Sequence, residues 1–273
     1  MIPAKFDYSR ASSADDALAQ LAEYGDEAKL LAGGHSLLPL MKLRLATPAR
    51  LVDIGRLSEL SYVRDGGDHL AIGALTRHRT LETDPLVRSH VAVLAHVAGQ
   101  VGDPQVRHRG TIGGSISHGD AASDLPAAVL ALGGTFVVRG PEGQREIPAS
   151  EFHRGFLETA LAPDELLTEI RVPKSSGATW SFQKFNRRAQ DWAIVGVVAV
   201  RNGSTAIGLV NMGSVPLRAT AVEAALADGA SATDAAELAG EGTEPSSDLN
   251  ASSEFRRHLA RVLVRRALEE VGA

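Results

Sequence analysis

The chain has no cysteine among its 273 residues. That absence excludes a disulfide framework, a thiolate zinc site, and ligation of an iron–sulfur cluster by this polypeptide alone. Long apolar runs are missing too: no stretch approaches the ~18 residues of a membrane span, and "MIPAKFDYSR" lacks the apolar core of a secretory signal, so a cytoplasmic protein is expected. Nor is there an excess of positive charge. Lys and Arg number 28 against 33 Asp and Glu, a net charge of -5, and the two signs are interspersed, which leaves no electrostatic footprint for nucleic acid. The common nucleotide signatures are also absent, because neither G-x-G-x-x-G nor G-x-x-x-x-G-K-[ST] occurs.

What is present is an ordinary globular composition, 44% apolar, in a length that suits two domains or one large one. Apolar residues recur at helical spacing over 12–24, with Ser12 or Ser13 to cap the start and Gly25 to end it. Strands are predicted at 29–32 and 50–54, giving a βαβ-like lobe that closes near residue 57. A hairpin is expected around Asp65-Gly66-Gly67-Asp68, helices over 86–100 and 125–134, strands flanking a "GPEG" turn, and a strand over 165–173. Pro173 and "KSSGA" mark a linker at 174–178. Beyond it come three strands, a helix from about Ala219, a weakly helical or looped stretch over 228–253, and a final helix from Ser253 with Phe255, Leu259, Val262, Leu263, Ala267 and Val271 as its apolar stripe and Arg opposite.

Two stretches break this pattern in the same way. "LLAGGHSLLPL" and "RGTIGGSISHGD" each place paired glycines before a small hydroxyl residue. Glycine pairs let backbone N–H groups approach an anion closely, a following Ser adds a hydroxyl, and an adjoining helix adds a favourable dipole. Ala32-Gly33-Gly34-His35-Ser36 and Thr111-Ile112-Gly113-Gly114-Ser115 could therefore clamp a diphosphate from two sides. Each could equally be a plain strand-to-helix turn. "GHSLL" also begins like a nucleophile elbow with Ser36 as nucleophile, but Leu38 stands where that turn requires its second glycine.

Together, "LLAGGHSLLPLMKLRLATPARLVDI" and "DPQVRHRGTIGGSISHGDAASDLPA" closely resemble the paired flavin-binding motifs of the FAD-binding medium subunit of molybdenum hydroxylases, with the aerobic carbon monoxide dehydrogenase type the nearest likeness. It extends to "MIPAKFDY", "RRAQDWA" and "NMGSVPLRATAVEAAL". The resemblance implies an α+β fold: a two-lobed FAD-binding domain of the vanillyl-alcohol oxidase or PCMH type over 1–176, with lobes at about 1–57 and 58–176, and a small α+β domain over 177–273. It implies that residues 32–36 and 111–115 cradle the FAD pyrophosphate and that Asp124 reaches the adenosine half. Leu167 would contact the cofactor, and Lys184, or Gln183 one register away, would lie against the flavin or its ribityl chain. Trp192 would approach the isoalloxazine. Without the resemblance, Asp124 reads as a helix cap, Lys184 as a solvated strand residue and Trp192 as core. His35 is read as a loop-shaping residue, and no catalytic acid or base and no metal ligand is assigned.

The resemblance also implies partners: a small subunit with two [2Fe-2S] clusters and a large subunit with the molybdenum cofactor, in a dimer of heterotrimers. The small subunit is expected near residues 108–117. Electrons would run from molybdenum through the clusters to FAD and then to an external acceptor. N-heterocycle, aldehyde and xanthine hydroxylases remain open as relatives, and so do a stand-alone flavin oxidase and a serine hydrolase using Ser36.

Overall fold

The structure, a computed structural model, describes residues 2–273. Its first layer is a parallel three-stranded sheet in the order Asp7–Arg10, Arg50–Asp53, Ala28–Leu31. Parallel strands need crossovers: the Ala14–Tyr24 helix joins Asp7–Arg10 to Ala28–Leu31 on the far side of the sheet, and the Leu37–Lys42 helix joins Ala28–Leu31 to its neighbour Arg50–Asp53. Ser13 caps that helix by accepting from the Asp16 amide at 3.0 Å, and Ala14, Ala17 and Leu21 turn inward onto Val52 and Ile54. The edge strand Asp7–Arg10 is too short and polar to carry an alternating signal, and sequence patterning misses it.

The second layer is a five-stranded antiparallel sheet ordered Val63–Asp65, His69–Gly73, Leu166–Pro173, Thr135–Gly140, Gly143–Pro148. The expected hairpin at Gly66 is its first turn, with the Gly66 amide on His69 O at 2.9 Å. The chain between the second and fourth of these strands in space, residues 74–134, is largely helical and shares one apolar core with the sheet, including Leu70, Ile72, Leu94, Ile116, Leu125 and Phe136. Residues 86–100 are not one helix, as the periodicity suggests, but two, Pro85–His90 and Ala92–Gly99, broken at Val91 with φ -143 and ψ 59. The cause is tertiary: His90 O accepts the Ser175 amide at 2.9 Å, and the Leu94 amide turns to Val91 O instead.

The third layer is an antiparallel four-stranded sheet, Thr179–Phe185, Val195–Asn202, Ser204–Val210, Leu217–Arg218. Val195, Val197 and Ala199 face the C-terminal helix Ser253–Val271, whereas Val198 and Val200 join the core of the second layer. Burial on both faces explains why "VGVVAV" shows no polar alternation. The C-terminal helix departs from the expected stripe: Leu259, Ala260, Leu263, Val264, Ala267, Leu268 and Val271 are buried, while Phe255 is exposed. Arg256, expected on the solvent face, is only 1% exposed. Its Nη1 donates to Ile194 O and its Nη2 to Asp248 Oδ2, so the buried charge is paired.

Candidate functional site

A cavity of about 860 Å³ is lined by residues from all three sheets, within the roughly 300–1,000 Å³ over which proteins enclose small ligands. The Ala28–Leu31 strand delivers residues 32–36 to it, and the short Leu37–Lys42 helix carries the chain away. Gly34 turns the loop at φ +80, a conformation costly for any residue with a Cβ. At Gly33 a Cβ would stand 2.4 Å from Arg109 O, so only glycine lets the first loop press against the second. Among the described residues, the backbone N–H groups of Gly33, Gly34, His35 and Ser36 meet no intrachain acceptor. Four successive donors are therefore left for an anion.

The second stretch differs, being the first turn of a helix, Ile112–His118, capped by Thr111. Its amides are already engaged: Ile112 on Thr76 O at 3.0 Å, Gly113 on Ala74 O at 2.8 Å, Gly114 on Thr111 Oγ1 at 3.1 Å, Ser115 on Thr111 O at 3.0 Å. It offers the cavity hydroxyls and a bare glycine surface, and the two-sided amide clamp expected from sequence is one-sided in its donors. Twelve of the thirteen expected site residues, all but Ile112, line the cavity. The Ile112 side chain lies instead in the core of the second layer. The same stitching to 74–78 removes most of the expected partner surface at 108–117, where only His108 and Arg109 are exposed.

Asp124 and Lys184 meet at the cavity wall. Lys184 Nζ donates to Asp124 Oδ2 at 2.7 Å and to Gln100 O at 3.2 Å, with side chains 5% and 10% exposed for Asp and Lys. Asp124 is the first residue of the Asp124–Ala131 helix and does not cap it, and Lys184 is not solvated. Burial pushes the Asp124 carboxyl up, against the pull of the Lys184 ammonium, and Oδ1 has no partner among the described residues. Because the two touch, they face one part of a ligand, and cannot serve its opposite ends. Gln183 does not line the cavity, its Nε2 donating to Ser181 Oγ at 3.0 Å, whereas Lys184 does. Trp192 is not core: it is 56% exposed and lines the cavity. Its loop is held by Asn211 Nδ2 on Ala193 O at 2.8 Å and by Arg256 on Ile194 O.

Sequence reasoning overlooks His78, which also lines the cavity. Burial, with smaller contributions from His35 and two arginines, lowers its pKa to about 4, so it is neutral at pH 7, and its Nδ1 is unpartnered. Nothing in "RHRTLET" distinguishes it from a surface histidine; only the fold packs its ring beside Gly110.

Comparison with known proteins decides what the cavity is built for. Residues 4–175 match the FAD binding domain in molybdopterin dehydrogenase, and residues 180–271 match the CO dehydrogenase flavoprotein C-terminal domain. The chain belongs to the FAD-binding medium subunits of molybdenum hydroxylases. It is 40% identical to the carbon monoxide dehydrogenase medium chain of Hydrogenophaga pseudoflava, over 100% of this subunit and 99% of the relative. It is 36% identical to the 6-hydroxypseudooxynicotine dehydrogenase complex subunit alpha of Paenarthrobacter nicotinovorans, over 98% and 95%. Among solved structures, carbon monoxide dehydrogenase from Hydrogenophaga pseudoflava superposes with a TM-score of 0.96 at 41% identity over 100% of this subunit and 99% of that chain. Quinoline 2-oxidoreductase from Pseudomonas putida 86 superposes at 0.93 and 32%, over 99% and 98%.

The subunit's own residues fit FAD. The unspent amides of 33–36 suit a diphosphate, and the orphaned Asp124 Oδ1 is a buried acceptor awaiting a donor such as a sugar or polyol hydroxyl. Apolar walls at Val101, Leu167 and Trp192 suit a planar ring.

Proposed function

We propose that this subunit holds FAD between residues 32–36 and 111–115 and serves as the electron outlet of a three-subunit molybdenum hydroxylase of the carbon monoxide dehydrogenase type. The observation that carries the reading is the meeting of both glycine loops, one with four free amides, across a single cavity. FAD, when bound, supplies the redox chemistry, taking up electrons and passing them on. The chain's part is to bind and bias it. The 33–36 amides take the diphosphate, Ser36 and Ser115 add hydroxyls, and Leu167 and Trp192 flank the ring. Asp124 Oδ1 accepts a ribityl hydroxyl, with Lys184 beside it near the flavin.

In the absence of cysteine, the [2Fe-2S] relay belongs to a small partner subunit and the molybdenum cofactor to a large one, and two such heterotrimers pair. The full-length likeness to medium chains supports this assembly, and the gap at 176–179 between the two family matches supports a domain boundary near 176. No helix among the described residues is long and apolar enough to cross a membrane, which agrees with work in the cytoplasm. The hydrolase alternative loses its chemistry, since Ser36 Oγ hydrogen-bonds to no base among the described residues.

The test is spectroscopic. The purified chain, reconstituted with FAD, should show a flavin absorption spectrum and be reduced by its copurified partners plus substrate, yet oxidise no substrate alone. A chain that stays colourless with excess FAD would sink the reading; turnover by the isolated chain would replace it with a self-sufficient oxidase. Sedimentation of the complex at twice the summed subunit mass checks the paired heterotrimer.

A further inference from the structure

The two glycine loops belong to different lobes, and something must set the gap between them. The segment 74–78 runs alongside 110–113 through a ladder of backbone bonds: Gly113 to Ala74 O, Ile112 to Thr76 O, and His78 to Gly110 O at 3.1 Å, with Arg77 bridged to Thr111. This ladder fixes the second loop within its own lobe. One side chain leaves it to cross to the first lobe. Arg77 Nη1 donates to Arg109 O, and Nη2 donates to Gly55 O at 3.3 Å, just beyond the Arg50–Asp53 strand. Both acceptors lie against the first glycine loop: a Cβ on Gly33 would stand 2.4 Å from Arg109 O, and a Cβ on Gly55 would stand 3.1 Å from Ala32 O. The Arg77 guanidinium thus ties one carbonyl on each side of the seam where the loops touch, without itself lining the cavity.

We propose that Arg77 is a positioning residue that sets the width of the diphosphate cleft by bridging Arg109 O and Gly55 O. The proposal rests on the FAD reading above. A planar fork with donors in fixed directions can hold two carbonyls at a set separation, whereas an ammonium is a single point of charge and holds one well. The four amides of residues 33–36 then meet the diphosphate at the distance fixed by this bridge, in the manner of any binding group whose geometry is set before the ligand arrives.

The experiment measures FAD and riboflavin binding by flavin fluorescence, using the apo form of the unmodified chain and its Arg77→Met and Arg77→Lys variants. Riboflavin carries the ring and ribityl chain without the diphosphate. Arg77→Met should weaken FAD binding about tenfold to a hundredfold, the range for losing bonds from a charged donor, while riboflavin binding and the thermal unfolding midpoint stay near those of the unmodified chain. Arg77→Lys should fall between the two. Equal losses for FAD and riboflavin would show a merely structural residue and overturn the proposal. Full FAD affinity in Arg77→Lys would overturn the two-carbonyl bridge in favour of charge alone, and full affinity in Arg77→Met would remove Arg77 from the site. If the unmodified chain binds neither flavin, the failure belongs to the FAD reading and not to Arg77.

Discussion

Asp124 and Lys184 behave as a unit whose halves respond differently to removal. The Asp124→Asn change leaves an ammonium beside the cofactor with no counter-charge, which favours the electron-rich form. The bound flavin should therefore rise in midpoint potential. Lys184→Met leaves a carboxyl that burial already pushes up. It then takes a proton, and the local charge stays near zero, as in the pair. Spectroelectrochemical titration of the two variants should show a rise in the first and little change in the second; equal and opposite shifts would mean that Lys184 acts as an isolated charge. Breaking a buried pair costs about 3–5 kcal/mol, so Lys184→Met should lose roughly that much in urea unfolding at pH 8, and less as the pH falls and the carboxyl of the unfolded chain takes up its own proton. His78 gives a second pH signal. Its folded pKa of about 4 lies below the ordinary 6.5, so the unfolded chain binds the extra proton. Stability is at its full value above pH 6.5 and falls as the pH drops toward 4, by up to about 3 kcal/mol from this group. Urea midpoints at pH 7 and pH 4.5 should differ more in the unmodified chain than in His78→Gln.

Among the elements, the two glycine loops illustrate what a sequence can and cannot disclose. Their composition suits an anion, the helix Ile112–His118 that contains the second is not legible in the apolar pattern, and the strand before the first follows from ordinary patterning. The division of labour between them does not, because it depends on where amides of residues 112–115 find acceptors, and those acceptors lie on a segment 36 to 39 residues upstream, at Ala74 and Thr76, as well as on Thr111 itself. For the same reason Ile112 reads as a site residue although it is core, and His78 goes unnoticed although it lines the cavity. The helical break at Val91 and the buried Arg256 were equally hidden, since each is imposed by a distant partner, Ser175 in one case and Ile194 in the other. The asymmetry has a measurable result. Gly33→Ala drives a Cβ into Arg109 O and displaces the donor-bearing loop, so FAD affinity should fall by more than about tenfold. Ser36→Ala removes one hydroxyl, worth about 0.5–1.5 kcal/mol, and should fall by about tenfold at most. Equilibrium titration with FAD orders the two, and the reverse order would return the diphosphate to side-chain donors.

At the scale of the whole molecule, the linker at 174–178 joins parts that are not separable bodies. Val198 and Val200 of the third sheet lie in the core of the second layer, Gly208 takes Ala127 O so closely that a Cβ there would stand 2.4 Å from it, and the Asp124–Lys184 pair crosses the same boundary. Ser176 and Gly177, by contrast, are exposed. A single cut in the backbone there breaks covalent continuity while leaving the interlocked faces in contact. Two separately expressed pieces, 1–176 and 177–273, should therefore find each other and regenerate a yellow heterodimer, with neither piece retaining flavin through gel filtration alone. For this chain, the unit that takes up the cofactor is defined by complementation across a shared core and not by the connection at 174–178.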